Sequence, residues 1–241
     1  MQAVLYQALA ILAGYLIGSL SFAVIISRVM GLSDPRSYGS GNPGATNVLR
    51  SGNKAAAILT LLFDALKGYV PVVLVLKFGA PFDMEEGTAA MVGLAAFIGH
   101  LWPVFFRFEG GKGVATAAGV LLAINPWLGL SVLLTWIVVA FLSRYSSLAS
   151  LAAAVCAPLF QMLIWDVGPE LLAIGLMSLL LIWRHSANIK KLMAGTESKL
   201  GQKASAAAHP AKGDKAAKAT STPSSKKHGN TSSTKPKHHS K

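Results

Sequence analysis

The chain has 241 residues, 53% of them hydrophobic and only 13% charged, against about 25% charged in ordinary soluble domains. So apolar and charge-poor a composition excludes a water-soluble globule and calls for a lipid environment. The formal net charge of +12 divides unevenly, because residues 1–200 carry 13 Lys+Arg and 9 Asp+Glu while residues 201–241 carry nine Lys against Asp214 alone. The basic excess therefore belongs to the tail and gives no support to a nucleic-acid partner.

A membrane-crossing helix needs about 20 mostly apolar residues. Val4–Val29, Ala55–Phe78 and Gly87–Phe106 meet that in turn. The apolar stretch Val114–Leu142 is broken at Asn125-Pro126, since proline cannot continue a helical ladder. Its first piece, Val114–Ile124, is too short to cross alone. Leu148–Trp165 and Pro169–Trp183 follow, split by Asp166-Val167-Gly168. The expected fold is an all-α integral membrane bundle of about seven transmembrane helices, some short, with five as the alternative if the short pieces do not cross. The opening Met1-Gln2-Ala3 has no positive charge, which argues against a cleaved signal peptide. Residues 1–200 are read as the membrane domain. Residues 201–241, rich in Lys, Ser, Ala and His, are expected to be a disordered tail that lacks the large side chains needed to form a core.

Cytoplasmic loops collect Lys and Arg. Arg28, Arg36, Arg50 and Lys54 follow the first span, Arg107 and Lys112 the third, Arg144 the fifth, and Arg184, Lys190, Lys191 and Lys199 the last. The alternate turns carry Asp83, Glu85 and Glu86, then Asp166 and Glu170. This alternation places the N-terminus outside and the C-terminus in the cytoplasm.

Polar residues concentrate on the cytoplasmic side in four clusters. The first, Ser37-Tyr38-Gly39-Ser40-Gly41-Asn42-Pro43-Gly44-Ala45-Thr46-Asn47-Val48-Leu49-Arg50, has the turn residues of an anion-binding nest and an arginine able to fork onto phosphate; the alternative is an ordinary interhelical loop. The second, Gly110-Gly111-Lys112-Gly113 before Val114-Ala115-Thr116, sets bare N–H groups and the positive end of a helix beside a lysine; the alternative is a glycine-rich helix contact with a snorkelling lysine. It is not a nucleotide-binding Walker A loop, which would place Gly at 106 and Ser or Thr at 113, where this chain has Phe106 and Gly113. The third is Ser143-Arg144-Tyr145-Ser146-Ser147, an anion site or a helix cap. The fourth is Trp183-Arg184-His185-Ser186-Ala187-Asn188, in which His185 and Asn188 share a helical face and Arg184, Lys190 and Lys191 read as interfacial anchors. Asp64 and Lys67 lie inside an apolar span at i, i+3, where ionisable groups pair or line a polar cavity; a structural ion pair is the favoured reading. His100, at a span end, reads as a polar residue satisfied within helix packing. The lone Cys156 allows no disulfide framework or cysteine metal cluster, and neither metal nor cofactor is expected.

Taken together, these motifs resemble the acyl-phosphate-dependent glycerol-3-phosphate acyltransferases of bacterial inner membranes, the PlsY family. The likeness covers about residues 10–200. It rests on Gly39-Ser40-Gly41-Asn42 with Gly44-Ala45-Thr46-Asn47 and Arg50, Asp64 with Lys67-Gly68, Gly99-His100 with Pro103, Gly110-Gly111-Lys112-Gly113-Val114-Ala115-Thr116, Arg144-Tyr145-Ser146-Ser147, and His185 with Asn188. One departure is Ser21 after Gly18-Ser19-Leu20, where the family commonly has proline near the end of the first span; it leaves the local bend open.

The resemblance implies transfer of a fatty acyl group from acyl phosphate to the 1-hydroxyl of glycerol 3-phosphate. The products are lysophosphatidic acid and inorganic phosphate, in the first acylation of phospholipid synthesis. It implies membrane lipids as surroundings and an upstream enzyme that makes the acyl phosphate. It further implies Ser40, Arg50, Lys112, His185 and Asn188 as catalytic residues, with Asn47, Gly110, Gly111, Gly113, Ser146 and Ser147 binding substrate or phosphate. In this reading Arg50 and Lys112 neutralise phosphates and the N–H groups near Gly111 meet a phosphate or the developing oxyanion. The hydroxyl proton passes either to the donor's own phosphate or to His185, whose reference pKa is about 6.5. The rivals are an anion or lipid transporter, for which matched broken helices in two halves are missing, and an acyltransferase with His-x-x-x-x-Asp, excluded by Phe105 and Lys190 at the fifth positions after His100 and His185. A third is a scaffold that docks through the basic tail.

Overall fold

The computed structural model describes residues 1–165 and 167–200. Asp166, expected on an acidic turn, and the basic tail over 201–241 lie outside the described residues. The described residues form ten α-helices: α1 (Gln2–Gly18), α2 (Phe22–Val29), α3 (Ala45–Leu49), α4 (Lys54–Phe78), α5 (Glu86–Leu101), α6 (Val114–Ile124), α7 (Pro126–Ser143), α8 (Ser146–Ile164), α9 (Glu170–Arg184) and α10 (Ser186–Met193). No strand occurs among them. The all-α membrane architecture is thus present. Four segments are long and apolar enough to cross a bilayer, namely α4, Glu86–Phe106, α7 and α8; treating α1–α2 and α9–α10 as bent spans brings the number to six. The eleven residues of α6 rise about 16 Å, roughly half a hydrocarbon core of about 30 Å.

The break between α6 and α7 follows from Asn125-Pro126. Pro126 opens α7, where its missing N–H costs nothing, and the Asn125 side chain accepts from the N–H groups of Trp127 and Leu128 at 3.0 and 3.2 Å. The first span departs from the single helix expected over Val4–Val29. It bends by 43° between α1 and α2, although Ser21 stands where a proline would enforce the turn. The Ser19 hydroxyl donates to the Tyr15 carbonyl at 2.8 Å, and the Leu20 carbonyl accepts from Lys67 Nζ at 2.6 Å. A lysine from α4 therefore satisfies a carbonyl released at the bend.

Large apolar side chains such as Phe141, Leu142 and Leu163 are more than 70% exposed, as a lipid-facing surface requires. Inside, Phe97, Leu101, Val120, Leu128 and Ile174 are fully buried. In lipid, helices associate through close packing of small residues rather than by a hydrophobic drive. Gly18 of α1 lies against the Ala96 main chain of α5, and Gly68 of α4 against the Thr116 main chain of α6, so closely that a Cβ at either position would strike backbone atoms.

The interior also holds charge. Lys67 Nζ stands 2.9 Å from Asp64 Oδ1, with both side chains under 5% exposed. The Thr116 hydroxyl of α6 donates to the Asp64 carbonyl at 2.9 Å, and His100 Nδ1 of α5 lies 3.2 Å from the Thr116 oxygen and 3.6 Å from Asp64 Oδ1. One polar knot thus joins α4, α5, α6 and the α1–α2 bend. Removing one partner of a buried pair strands the other charge, at a cost of about 3–5 kcal/mol. Lys67→Leu is expected to lose stability on that scale in detergent, and Asp64→Asn/Lys67→Leu to recover part of it, as read by thermal unfolding.

Candidate active site

The polar knot leads to the loop between α5 and α6. Arg107, Phe108 and Gly113 adopt left-handed backbone, φ 57°, 58° and 83°, and turn the chain back so that α6 starts beside the end of α5. Gly110 and Gly111 are buried. The Gly111 N–H donates to the His100 carbonyl at 3.1 Å. A side chain at Gly111 would collide with the His100 ring and come within 2.9 Å of the Pro43 carbonyl, so only glycine lets the loop thread between α5 and the first polar loop. Arg184, at the end of α9, donates through Nη2 to the carbonyls of Gly110 and Gly111 at 2.9 and 3.0 Å, and through Nε to Gly111 at 3.2 Å. Lys112 points from this loop to Asn188 of α10, Nζ to Oδ1 at 2.5 Å.

The first polar loop is knitted by Asn47. Its Oδ1 accepts from the Ser40 N–H at 3.0 Å, and its Nδ2 donates to the carbonyls of Pro35 and Tyr38 at 2.6 and 3.2 Å. Arg36 forks onto Asp34 at 2.6–3.2 Å and reaches Glu109 at 3.4 Å, which ties this loop to the glycine loop. The hydrogen bonds from Arg36 hold the Asp34 carboxyl below the usual carboxylate range. Arg50 leaves the end of α3 and donates to the Ser198 hydroxyl at 2.5 Å. Thr46 and Ser146 hydroxyls are 3.4 Å apart.

The fourth wall is the segment after α10. Glu197 Oε1 accepts from the Ser147 hydroxyl and from Asn188 Nδ2, both at 2.7 Å. The Leu200 N–H donates to the Arg144 carbonyl at 2.8 Å. Arg144 itself is exposed and takes left-handed backbone, φ 63°, to end α7. His185 sits at the 55° bend between α9 and α10, only 2% exposed, with Nδ1 2.8 Å from the Leu181 carbonyl. That carbonyl can only accept, so Nδ1 carries the proton and Nε2 is left as the acceptor.

Burial lowers the Lys112 ammonium to about 8; the Glu197 carboxylate opposes this, and Lys191, Arg184 and Arg50 add to it. Burial, followed by the charge of Lys112, pushes the His185 imidazole down to about 4. His185 is therefore neutral at physiological pH, well below the ordinary value of about 6.5.

Arg50, Lys112, Ser146, Ser147, His185 and Asn188 thus meet at one end of the bundle. Other expectations change. Gly111 does not offer its N–H to a ligand, because the His100 carbonyl takes it; the first-turn N–H groups of α6, which have no intrahelical partner, remain the backbone donors beside Lys112. Asn47 hydrogen-bonds within the Ser40 loop, Gly110 packs against the His100 and Leu101 main chain, and Gly113 takes left-handed backbone beside the Phe97 ring. Arg184, read as an interfacial anchor, grips the glycine loop. Glu197 and Ser198 were not anticipated, although Glu197 is the one acid between residues 171 and 200, amid Arg184, Lys190, Lys191 and Lys199. Arg50 on Ser198, Lys112 on Asn188, and Ser147 and Asn188 on Glu197 bring cations, hydroxyls and an amide together in a place where oxyanions can be held and aligned. Among the described residues no group of His, Cys, Asp and Glu could hold a metal ion.

The family described as glycerol-3-phosphate acyltransferase matches residues 8–195. A glycerol-3-phosphate acyltransferase of Paraburkholderia phytofirmans is 65% identical over 201 residues, which cover 83% of this chain and 94% of that protein. One of Albidiferax ferrireducens is 62% identical over 200 residues, 81% of this chain and 89% of that one. The crystal structure of PlsY, an integral membrane glycerol 3-phosphate acyltransferase, in its glycerol 3-phosphate form gives a TM-score of 0.76 at 38% identity, over 81% of this chain and 96% of that one. Its lysophosphatidic acid form gives 0.74 at 37% over the same shares.

Glu197→Ala removes the acceptor shared by Ser147 and Asn188 and the one carboxylate that supports the charge on Lys112. The Lys112 titration is expected to move below about 8, as followed by NMR of the methylated lysine. Stability is expected to fall by about 1–3 kcal/mol for the donors left unpaired, as read by thermal unfolding.

Proposed function

We propose a donor and a chemistry for this chain, which belongs to the glycerol-3-phosphate acyltransferase family and is a multi-pass membrane enzyme that acylates glycerol 3-phosphate. The donor is an acyl phosphate. The observation that carries this reading is the convergence of four separate segments on the stretch after α10: Ser147 and Asn188 donate to Glu197, Lys112 reaches Asn188, and Arg50 donates to the neighbouring Ser198. A site built to surround an anion suits two phosphate-bearing substrates. The relative solved in glycerol 3-phosphate and lysophosphatidic acid forms supports the acceptor and the product.

An acyl phosphate is a mixed anhydride and is already activated. The 1-hydroxyl oxygen of glycerol 3-phosphate bonds to the acyl carbon and the bond from that carbon to the phosphate oxygen breaks. 1-Acyl-glycerol 3-phosphate forms and inorganic phosphate leaves with the hydroxyl proton. No covalent enzyme intermediate is required. The protein's task is to hold two anions together and align them, an effect worth up to roughly 7–11 kcal/mol. Lys112 and Arg50 offset the phosphate charges, the first-turn N–H groups of α6 meet a phosphate or the carbonyl oxygen, and Ser40, Ser146, Ser147 and Asn188 orient the partners. The donor phosphate accepts the proton. His185, buried, neutral and tied to Leu181, positions α10 and Asn188 rather than titrating during turnover. The site faces the cytoplasm of a bacterial inner membrane, a placement supported by the alternating loop charges, and an upstream acyl-phosphate-forming enzyme supplies the donor.

Purified enzyme given labelled glycerol 3-phosphate is expected to form product from acyl phosphate, and none from acyl-CoA or acyl-carrier protein, with EDTA present throughout. Turnover from either thioester alone would overturn the donor assignment, and wild-type turnover by Lys112→Ala would overturn the phosphate clamp. The pH dependence has a definite sign. Lys112 is charged below about 8 and neutral above it, whereas a phosphate monoester is already a dianion above about 7. So kcat/KM for glycerol 3-phosphate is expected to hold through neutrality and fall above pH about 8, and the limb in kcat to lie higher, because bound phosphate favours the ammonium.

A further inference from the structure

We infer that Arg184 is a positioning residue of the acyl transfer: it aims the glycine loop, and through it Lys112, by gripping the Gly110 and Gly111 carbonyls. The inference rests on the reading of Lys112 as a phosphate ligand. A basic residue at the end of a span ordinarily anchors the helix in the headgroup layer, and such a side chain turns outward to water and lipid. Arg184 turns inward. All three of its contacts to the loop are to main-chain oxygens, at 2.9, 3.0 and 3.2 Å. A planar guanidinium can hold two adjacent carbonyls at once, which a lysine ammonium cannot match in geometry.

The consequence for the loop follows from the peptide plane. A peptide's C=O and N–H point in opposite directions, so pinning the carbonyls of 110 and 111 toward Arg184 turns the N–H groups of 111 and 112 away from it. The Gly111 N–H is then taken by the His100 carbonyl at 3.1 Å, and the His100 ring fills the space where a side chain at 111 would lie. The loop is held by α9 on one side and α5 on the other. From the loop so held, Lys112 extends toward Asn188.

Arg184 also acts through its charge. Lys112 is faced by Arg50 after α3, Arg184 at the end of α9, His185 at the bend, Lys191 of α10 and Glu197 in the following segment. Arg184 is one of three cations that make the Lys112 ammonium harder to keep. Grip and charge can therefore be separated by two substitutions. Arg184→Gln removes both; Arg184→Lys keeps the charge and loses the two-carbonyl grip.

The test is steady-state kinetics against pH in detergent, on variants that remain monodisperse, with Lys112→Ala alongside. Arg184→Gln is expected to lower kcat/KM for glycerol 3-phosphate by about 10- to 100-fold, the scale of a displacement of about 1 Å in a positioned group, and to move the alkaline limb above its wild-type place near 8. Arg184→Lys is expected to lose about 10-fold with the limb unmoved. If Lys112→Ala is inactive while both Arg184 variants stay within about twofold of wild type, the positioning role fails and the phosphate reading stands. If Lys112→Ala itself keeps wild-type turnover, the phosphate reading fails first. If Arg184→Gln does not fold, Arg184→Lys decides alone, and wild-type kcat/KM in that variant overturns the inference.

Discussion

A polar group inside a bilayer has no water to turn to, and every freed carbonyl or charge must find its partner within the protein. That constraint organises this molecule. The bend between α1 and α2 releases the Leu20 carbonyl, Lys67 answers it, Asp64 balances Lys67, and Thr116 and His100 close the knot. No side chain of the knot is assigned to a substrate in the proposed reaction. The knot fixes the end of α5 and the start of α6, and the glycine loop hangs between those two helices. A buried ionic network of this kind contributes less to stability than to specifying one arrangement, which is what a site made of loops needs.

The site follows the same economy. Few charges are available, so each is kept partly out of water, where it acts more strongly. The same burial makes Lys112 reluctant to stay protonated, and Glu197 offsets this from across the site. His185 shows the other side of the trade: burial and the charge of Lys112 push its imidazole down, and its bond to the Leu181 carbonyl ties it to the α9–α10 bend.

Much of this was legible in the sequence. Apolar runs located the helices to within a few residues, and Asn125-Pro126 marked the α6–α7 corner because cap and proline chemistry are local. Glycine, hydroxyl and basic clusters pointed to the residues that meet at one end. The misses share a cause. The bend at Ser19–Ser21 carries no proline, and its Leu20 carbonyl is satisfied by a lysine 47 residues further along the chain. Whether Arg184 faces lipid or protein, and whether the Gly111 N–H is free or taken, depends on which helix lies alongside, and spacing does not encode that. Glu197 belongs to no motif, and its place as an acid among bases is the one sequence signal that could have found it.

The shortness of α6 has a consequence for how its longer neighbour is covered. From their shared corner at Asn125, α7 runs seven residues further than α6, which at helical rise is about 10 Å. A half-length helix can cover only the near part of a full-length neighbour, so α7 relies on α8 as well, which packs against it with Trp136 Nε1 donating to the Ser150 hydroxyl at 3.0 Å and carries Ser146 and Ser147 at its start.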